Sequence, residues 1–196
     1  MDFEEIKKQT EAFVKEELFT LEPWILNVKW EEKLPKLNEL REKVKSKGLW
    51  LPQISKDYGG LGLTNAEHGE VSEILGASPY GHYCFNCQAP DAGNMEILIE
   101  FGTDQQKETY LYPLLKGEIR SCFAMTEPDH AGSNPVKMGT IAKKENGNYV
   151  INGHKWFTSG FDGSTFAIVM LVSDPENIIP HKKASQVIVP TSSKGL

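Results

Sequence analysis

Tyr110-Leu-Tyr-Pro-Leu-Leu-Lys-Gly117-Glu-Ile119-Arg-Ser-Cys-Phe-Ala-Met125 is where the chain changes character. Before Gly117 the apolar residues recur at helical spacing. After it they gather into short runs separated by Asn-Gly turns, the pattern of strands. Gly117 suits a helix end, because glycine reaches the left-handed conformation that closes one. The reading is an α+β chain: an all-α helical domain over residues 1–118, then an incomplete antiparallel β domain over 119–196.

Working back from Gly117, Thr103-x-x-Gln106 opens a helix carrying Tyr110, Leu111, Leu114 and Leu115. Ala89-Pro90-Asp91 opens another, with Met95, Leu98 and Ile99, closed by Gly102. Thr64-x-x-Glu67 is a capping box ahead of Val71, Ile74 and Leu75. Residues 49–63 hold Pro52 and three glycines and read as loop. A helix with Leu37, Leu40 and Val44 ends at Gly48. The first helix starts at an Asp2 cap, buries Phe3, Ile6, Phe13, Val14, Leu18 and Leu21, and is expected to stop at Pro23.

Working forward, residues 119–125 are a strand candidate. Ile141–Lys144 and Tyr149–Ile151 flank Asn146-Gly147 as a hairpin, and Asn152-Gly153 turns the chain into a short strand at Lys155–Phe157. Phe166–Val172 reads as a buried strand and Gln186–Val189 as another. So few strands leave open edges, and the C-terminus at Lys194-Gly-Leu196 reads as cut.

The 196 residues are 39% hydrophobic with net charge −6, which excludes a disordered chain. The acidic surplus lies in residues 49–120, with 4 basic against 10 acidic side chains. There is no basic stripe, which argues against nucleic acid as a partner. The apolar run Phe166–Val172 is too short to span a bilayer. Three cysteines build no disulfide framework and the N-terminus is no targeting peptide, so a reducing intracellular compartment is expected. In a bacterium that is the cytoplasm; in a eukaryote a mitochondrion or peroxisome stays open, although these residues carry no targeting peptide.

Cys84-Phe-Asn-Cys87 lacks the βαβ context of a redox pair and the second ligand pair of a zinc site, so packed cysteines are expected. The five histidines have no metal-ligand spacing. Gly59-Gly-Leu-Gly62 lacks the strand and helix of a dinucleotide fingerprint. The segment Ser121-Cys-Phe-Ala-Met-Thr-Glu-Pro-Asp-His-Ala-Gly-Ser133 is a strand running into a polar loop. Its strand end offers a fixed row of backbone donors and acceptors suited to a heterocycle edge, and Gly132-Ser133 can approach a phosphate. A plain turn leaving an edge strand is the other reading.

Four separated motifs carry a resemblance. Cys122-Phe-Ala-Met-Thr126-Glu-Pro with Ala131-Gly-Ser133 resembles the flavin-binding signature of the acyl-CoA dehydrogenase family. Tyr149-Val-Ile-Asn-Gly-His-Lys-Trp156-Phe-Thr158 resembles its second signature. Gly48-Leu-Trp-Leu-Pro with Asp57-Tyr-Gly-Gly-Leu-Gly-Leu63 resembles its first inter-helix loop, and Phe101-Gly-Thr-x-x-Gln-Lys with Gly117-Glu its last N-terminal helix. Phe85-Asn-Cys-Gln-Ala-Pro-Asp-Ala-Gly-Asn-Met-Glu96 resembles the subgroup of large animal members with a kinase-like N-terminal part. The loop Asp129-His-Ala-Gly-Ser133 is one residue longer than the family's usual Gly-Ala-Gly-Ser.

The resemblance implies an FAD enzyme of fatty acid β-oxidation and lipid metabolism. Such an enzyme removes the α-proton of an acyl-CoA while the β-hydride passes to flavin N5, giving the trans-2-enoyl-CoA. It implies that Phe123, Met125 and Thr126 lie along the flavin, that Trp156 covers a ring face and that Thr158 donates to N5. Ser133 meets the pyrophosphate or the substrate's pantetheine. The catalytic base is a Glu of a C-terminal four-helix domain absent from these residues, so this chain alone is expected to hold no catalytic residue. Glu127 is read as structural. Electron-transfer flavoprotein is the implied acceptor, and a homo-oligomer the implied assembly. An acyl-CoA oxidase relative and a truncated non-catalytic module are the alternatives.

Overall fold

A computed structural model describes residues 1–132 and 134–196. The chain divides into two compact units, Met1–Ala92 and Gly93–Leu196.

The first unit is helical. The helix α1 (Phe3–Phe13) is capped by Asp2, whose carboxylate accepts from the Glu5 N–H at 2.9 Å. A π-helical turn over Val14–Leu18 carries it directly into α2 (Phe19–Ile25). Pro23 lies inside α2 and does not stop the helix, contrary to expectation. Proline removes one hydrogen bond. The apolar stripe runs on to Ile25, which is fully buried, and that burial holds the last turn in place. The helix α3 (Trp30–Ser46) likewise runs through Pro35. It is followed by α4 (Asn65–Leu75), opened by the Thr64–Glu67 capping box, and by the short α5 (Gly81–Cys84). Phe13, Leu18, Leu37, Leu40, Val44, Leu75 and Phe85 form one core, with Phe13 edge-on to Phe85 at 5.4 Å. Cys84 and Cys87 are buried free thiols, as expected. Burial pushes both up to about 12.

The helix α6 (Asp91–Phe101) starts at the end of the first unit, runs into the second from Gly93 on, and is followed by α7 (Asp104–Gln106), a second π-helical turn (Lys107–Leu111) and α8 (Tyr112–Lys116). Gly117, at φ +75°, closes this helical run. Among the described residues five strands follow: β1 (Ser121–Ala124), β2 (Ile141–Glu145), β3 (Asn148–Asn152), β4 (Phe166–Val172) and β5 (Ala184–Pro190). Asn146 and Gly147 both take positive φ, which matches the turn to the strand twist and sets Glu145 opposite Asn148.

The sheet is mixed, where an antiparallel one was expected. β1 pairs β4 in parallel and β2 meets β4 in parallel, while β2–β3 and β4–β5 are antiparallel. Only strands joined by a tight turn must be antiparallel, and β1 reaches β4 through a long crossover that leaves direction free. The strand expected at Lys155–Phe157 is absent as well. Phe157 sits at φ +49°, which no strand accommodates. Cys122, Ala124, Ala142, Ala167, Val169 and Leu171 form the core of one sheet face. On the other face Phe166 meets the Tyr110 ring at 4.7 Å, and Asn94 of α6 donates to Ser121 Oγ and the Cys122 carbonyl. No described helix is long and apolar enough to cross a membrane.

Candidate functional site

The second unit carries a cleft of about 690 Å³ over the alanine-rich sheet face. Its floor is Ala124, Ala167, Val169, Ile151 and Val189, small or branched residues that give a flat apolar base. Tyr149, Trp156, Phe157 and Phe161 stand on its walls, and all four are exposed, Phe157 at 82%. Four exposed aromatics around one cleft of this size are the signature of a ligand or partner surface. Thr158 lines the same cleft, and among the described residues its hydroxyl has no partner.

The loop that carries Trp156 and Thr158 is tied to the end of β1. Thr126 Oγ1 donates to the Trp156 carbonyl at 2.7 Å, and the Trp156 N–H donates to the Thr126 carbonyl at 3.1 Å. Lys155 Nζ donates to the Met125 carbonyl at 2.8 Å and to Glu127 Oε1 at 2.8 Å. Glu127 is 4% exposed and also accepts from the Gly139 and Thr140 N–H groups and the Thr140 hydroxyl. Burial alone pushes its carboxyl up; the Lys155 ammonium and these donors outweigh burial and hold it at about 2. A carboxylate this weak and this fully occupied is a poor proton acceptor, in keeping with a structural part.

Gly153 lies where the chain presses on Thr140: a β-carbon there would overlap the Thr140 side chain. A β-carbon on Gly132 would come within 2.6 Å of Thr126 Cγ2. Both glycines let backbone pass against the residues that shape the site.

Of the residues singled out from sequence, Trp156 and Thr158 stand in the cleft and Thr126 is bonded to Trp156. Met125 enters through its carbonyl, held by Lys155. Phe123 is in register with Ile168, so it faces away from the Ala124 floor, toward the helical side of the sheet. Ser133 lies outside the described residues. Sequence reasoning missed Lys155, Thr140 and Phe157. The run Asn152-Gly-His-Lys155-Trp-Phe157 carried a local signal for Lys155 and Phe157, and no local signal marked Thr140. No group of three or more metal-binding side chains occurs among the described residues.

Two family models match the chain: acyl-CoA dehydrogenase, N-terminal domain, over residues 2–118, and acyl-CoA dehydrogenase, middle domain, over residues 122–196. A mouse (Mus musculus) relative, acyl-CoA dehydrogenase family member 10, is 41% identical over 201 residues, which is 96% of this chain and 19% of the mouse protein. A solved structure from Mycobacterium abscessus, assigned to the acyl-CoA dehydrogenases, matches at TM-score 0.91 and 34% identity, covering 98% of this chain and 51% of that one. An acyl-CoA dehydrogenase of Bacillus anthracis, solved complexed with FAD, matches at TM-score 0.72 and 25% identity over 98% of this chain and 31% of that one. The chain thus spans about a fifth of the mouse relative and about half of the mycobacterial structure.

Proposed function

The chain belongs to the acyl-CoA dehydrogenase family, and from that premise we propose that it forms the N-terminal (1–118) and middle (119–196) parts of an FAD-dependent acyl-CoA dehydrogenase. The observation that carries this reading is the aromatic cleft beside β1, with Trp156 and Thr158 on its wall and the Thr126 strand end bonded to it.

The residues present fit a flavin. A flat apolar floor with exposed aromatic walls accepts a planar ring system, and a free hydroxyl at Thr158 offers it one polar contact. Trp156 and Thr158 would hold the ring, with Thr126 and the backbone of Phe123 and Met125 along its edge, and on the family resemblance alone Ser133 would meet its pyrophosphate or the substrate's pantetheine. Bound FAD would supply the two-electron acceptor for the β-hydride of an acyl-CoA thioester, and with the α-proton passing to a base outside these residues the product would be the trans-2-enoyl-CoA. Thr158 would offer its hydroxyl as a donor where negative charge grows on the bound group, and a fixed donor there lowers the barrier. Trp156 excludes water from one side of the cleft. Glu127 takes no proton, because its oxygens are occupied by Lys155, Thr140 and backbone N–H groups. Electron-transfer flavoprotein is the proposed acceptor, and a homo-oligomer the proposed assembly.

The test is spectroscopic. The purified protein should carry a flavin absorbance or shift the spectrum of added FAD, and bleaching by an acyl-CoA without oxygen is expected of the full-length enzyme that also supplies the base. A protein that neither retains FAD nor shifts the spectrum of added FAD refutes the reading.

A further inference from the structure

Phe157 is a bulky residue held in the left-handed region at φ +49°, and its ring is 82% exposed. Such a conformation persists only where its surroundings over-determine it. The Phe157 side chain touches too little to hold itself, apart from the Trp156 ring at 4.7 Å. Its backbone neighbours do the holding. On the C-terminal side the Ser159 N–H donates to the Phe157 carbonyl at 3.0 Å, and the Phe161 N–H to the Thr158 carbonyl at 3.2 Å. On the N-terminal side stand the paired Thr126–Trp156 bonds, and immediately before them Lys155.

Lys155 and Glu127 each adjoin one member of the Thr126–Trp156 pair in sequence. Their ion pair at 2.8 Å, with the second Lys155 bond to the Met125 carbonyl, is a crosslink flanking that pair. Glu127 is anchored in turn on the Gly139–Thr140 backbone leading into β2. Strand end, loop and β2 therefore meet at one carboxylate. The Lys155 side chain is 12% exposed and that of Glu127 4%, so water competes little for these bonds. His130 Nε2, at 3.7 Å from Glu127, is the other basic group facing the carboxylate.

We propose that Glu127 and Lys155 are positioning residues that hold the Trp156–Phe157–Thr158 turn in its strained shape, and so aim the Thr158 hydroxyl and the Trp156 ring into the cleft. The aim matters for chemistry on the reading proposed above. The lock itself is a property of the apoprotein. Neither residue need touch ligand or substrate.

The experiment compares wild type, Lys155→Met, Lys155→Arg and Glu127→Gln by amide hydrogen exchange in the FAD-free protein and by flavin reduction with an acyl-CoA in the FAD-loaded full-length enzyme, which also supplies the base. Lys155→Met should speed exchange at the Trp156 and Ser159 amides by on the order of tenfold, since charge-assisted bonds are lost, with β4–β5 amides unchanged. It should slow flavin reduction by roughly a hundredfold, the scale of a misaimed group, while FAD affinity changes much less. Lys155→Arg should restore much of both, and Glu127→Gln should resemble Lys155→Met. Unchanged exchange at Trp156 and Ser159 overturns the proposal, and so does faster exchange with an unchanged reduction rate. Should Lys155→Met fail to fold, Lys155→Arg and Glu127→Gln carry the same comparison. A wild type that binds no FAD refutes the enzyme reading, and the exchange measurement still decides the lock.

Discussion

Acidifying this protein should unlock it at Glu127 before its net charge alone unfolds it. The carboxyl is held at about 2 in the folded chain against an ordinary 4.5. At about 1.4 kcal/mol per pH unit, that gap corresponds to about 3 kcal/mol of stability from this one group. The folded value lies below the unfolded one, so the contribution is complete above about pH 5 and is lost as the pH falls toward 2. By pH 3 about 2 kcal/mol of it should be gone. Many of the 27 acidic side chains titrate in the same window, so only a difference is diagnostic. Wild type and Glu127→Gln should be unfolded in urea at a series of pH values and their stabilities compared. At pH 7 the variant should be weaker by about 3 kcal/mol, the scale of a broken buried pair. The gap should close to about 1 kcal/mol at pH 3, with the m-values alike. Two pH profiles that stay parallel would refute the assignment of the stabilisation to the Glu127 carboxylate.

Further outcomes follow from the same geometry. In the full-length enzyme Thr158→Ala should slow flavin reduction by about a hundredfold in stopped flow, near 3 kcal/mol of barrier, while FAD retention falls by only about 1 kcal/mol; an unchanged reduction rate with FAD bound would misplace the hydroxyl. Gly153→Ala drives a β-carbon into Thr140 and should cost about 1–3 kcal/mol in thermal unfolding, whereas Gly147→Ala, with open space around it, suffers only from its positive φ. Cys84 and Cys87, buried and pushed up to about 12, should resist a thiol reagent in the native protein and react on unfolding; fast native labelling of either would contradict their packing.

Local signals were legible wherever a backbone preference and a side-chain pattern agreed. The Asp2 cap, the Thr64 and Thr103 capping boxes, the Gly117 stop and the Asn146-Gly147 turn all appear in the structure, because each depends on residues a few positions apart. The family signatures were legible for the same reason, being contiguous runs such as Phe123–Pro128 and Asn152–Thr158. Pro23 was misjudged because local propensity was weighed without the burial of Ile25 two residues on.

What the sequence by itself determined is the order of elements, their caps and turns, and the residue types gathered near β1. Only the tertiary structure decided how they meet. Strand direction in β1–β4 follows from a long crossover whose path no local pattern records. The turn at Trp156–Thr158 departs from the expected strand because Lys155 reaches back to Met125 and Glu127, 30 and 28 residues earlier in the chain. Phe157 accepts a left-handed backbone that its own preferences oppose, since the bonds around it outweigh the strain. A carboxylate at Glu127 becomes a lock only once burial removes water and four donor groups converge on it, and that convergence exists in three dimensions alone.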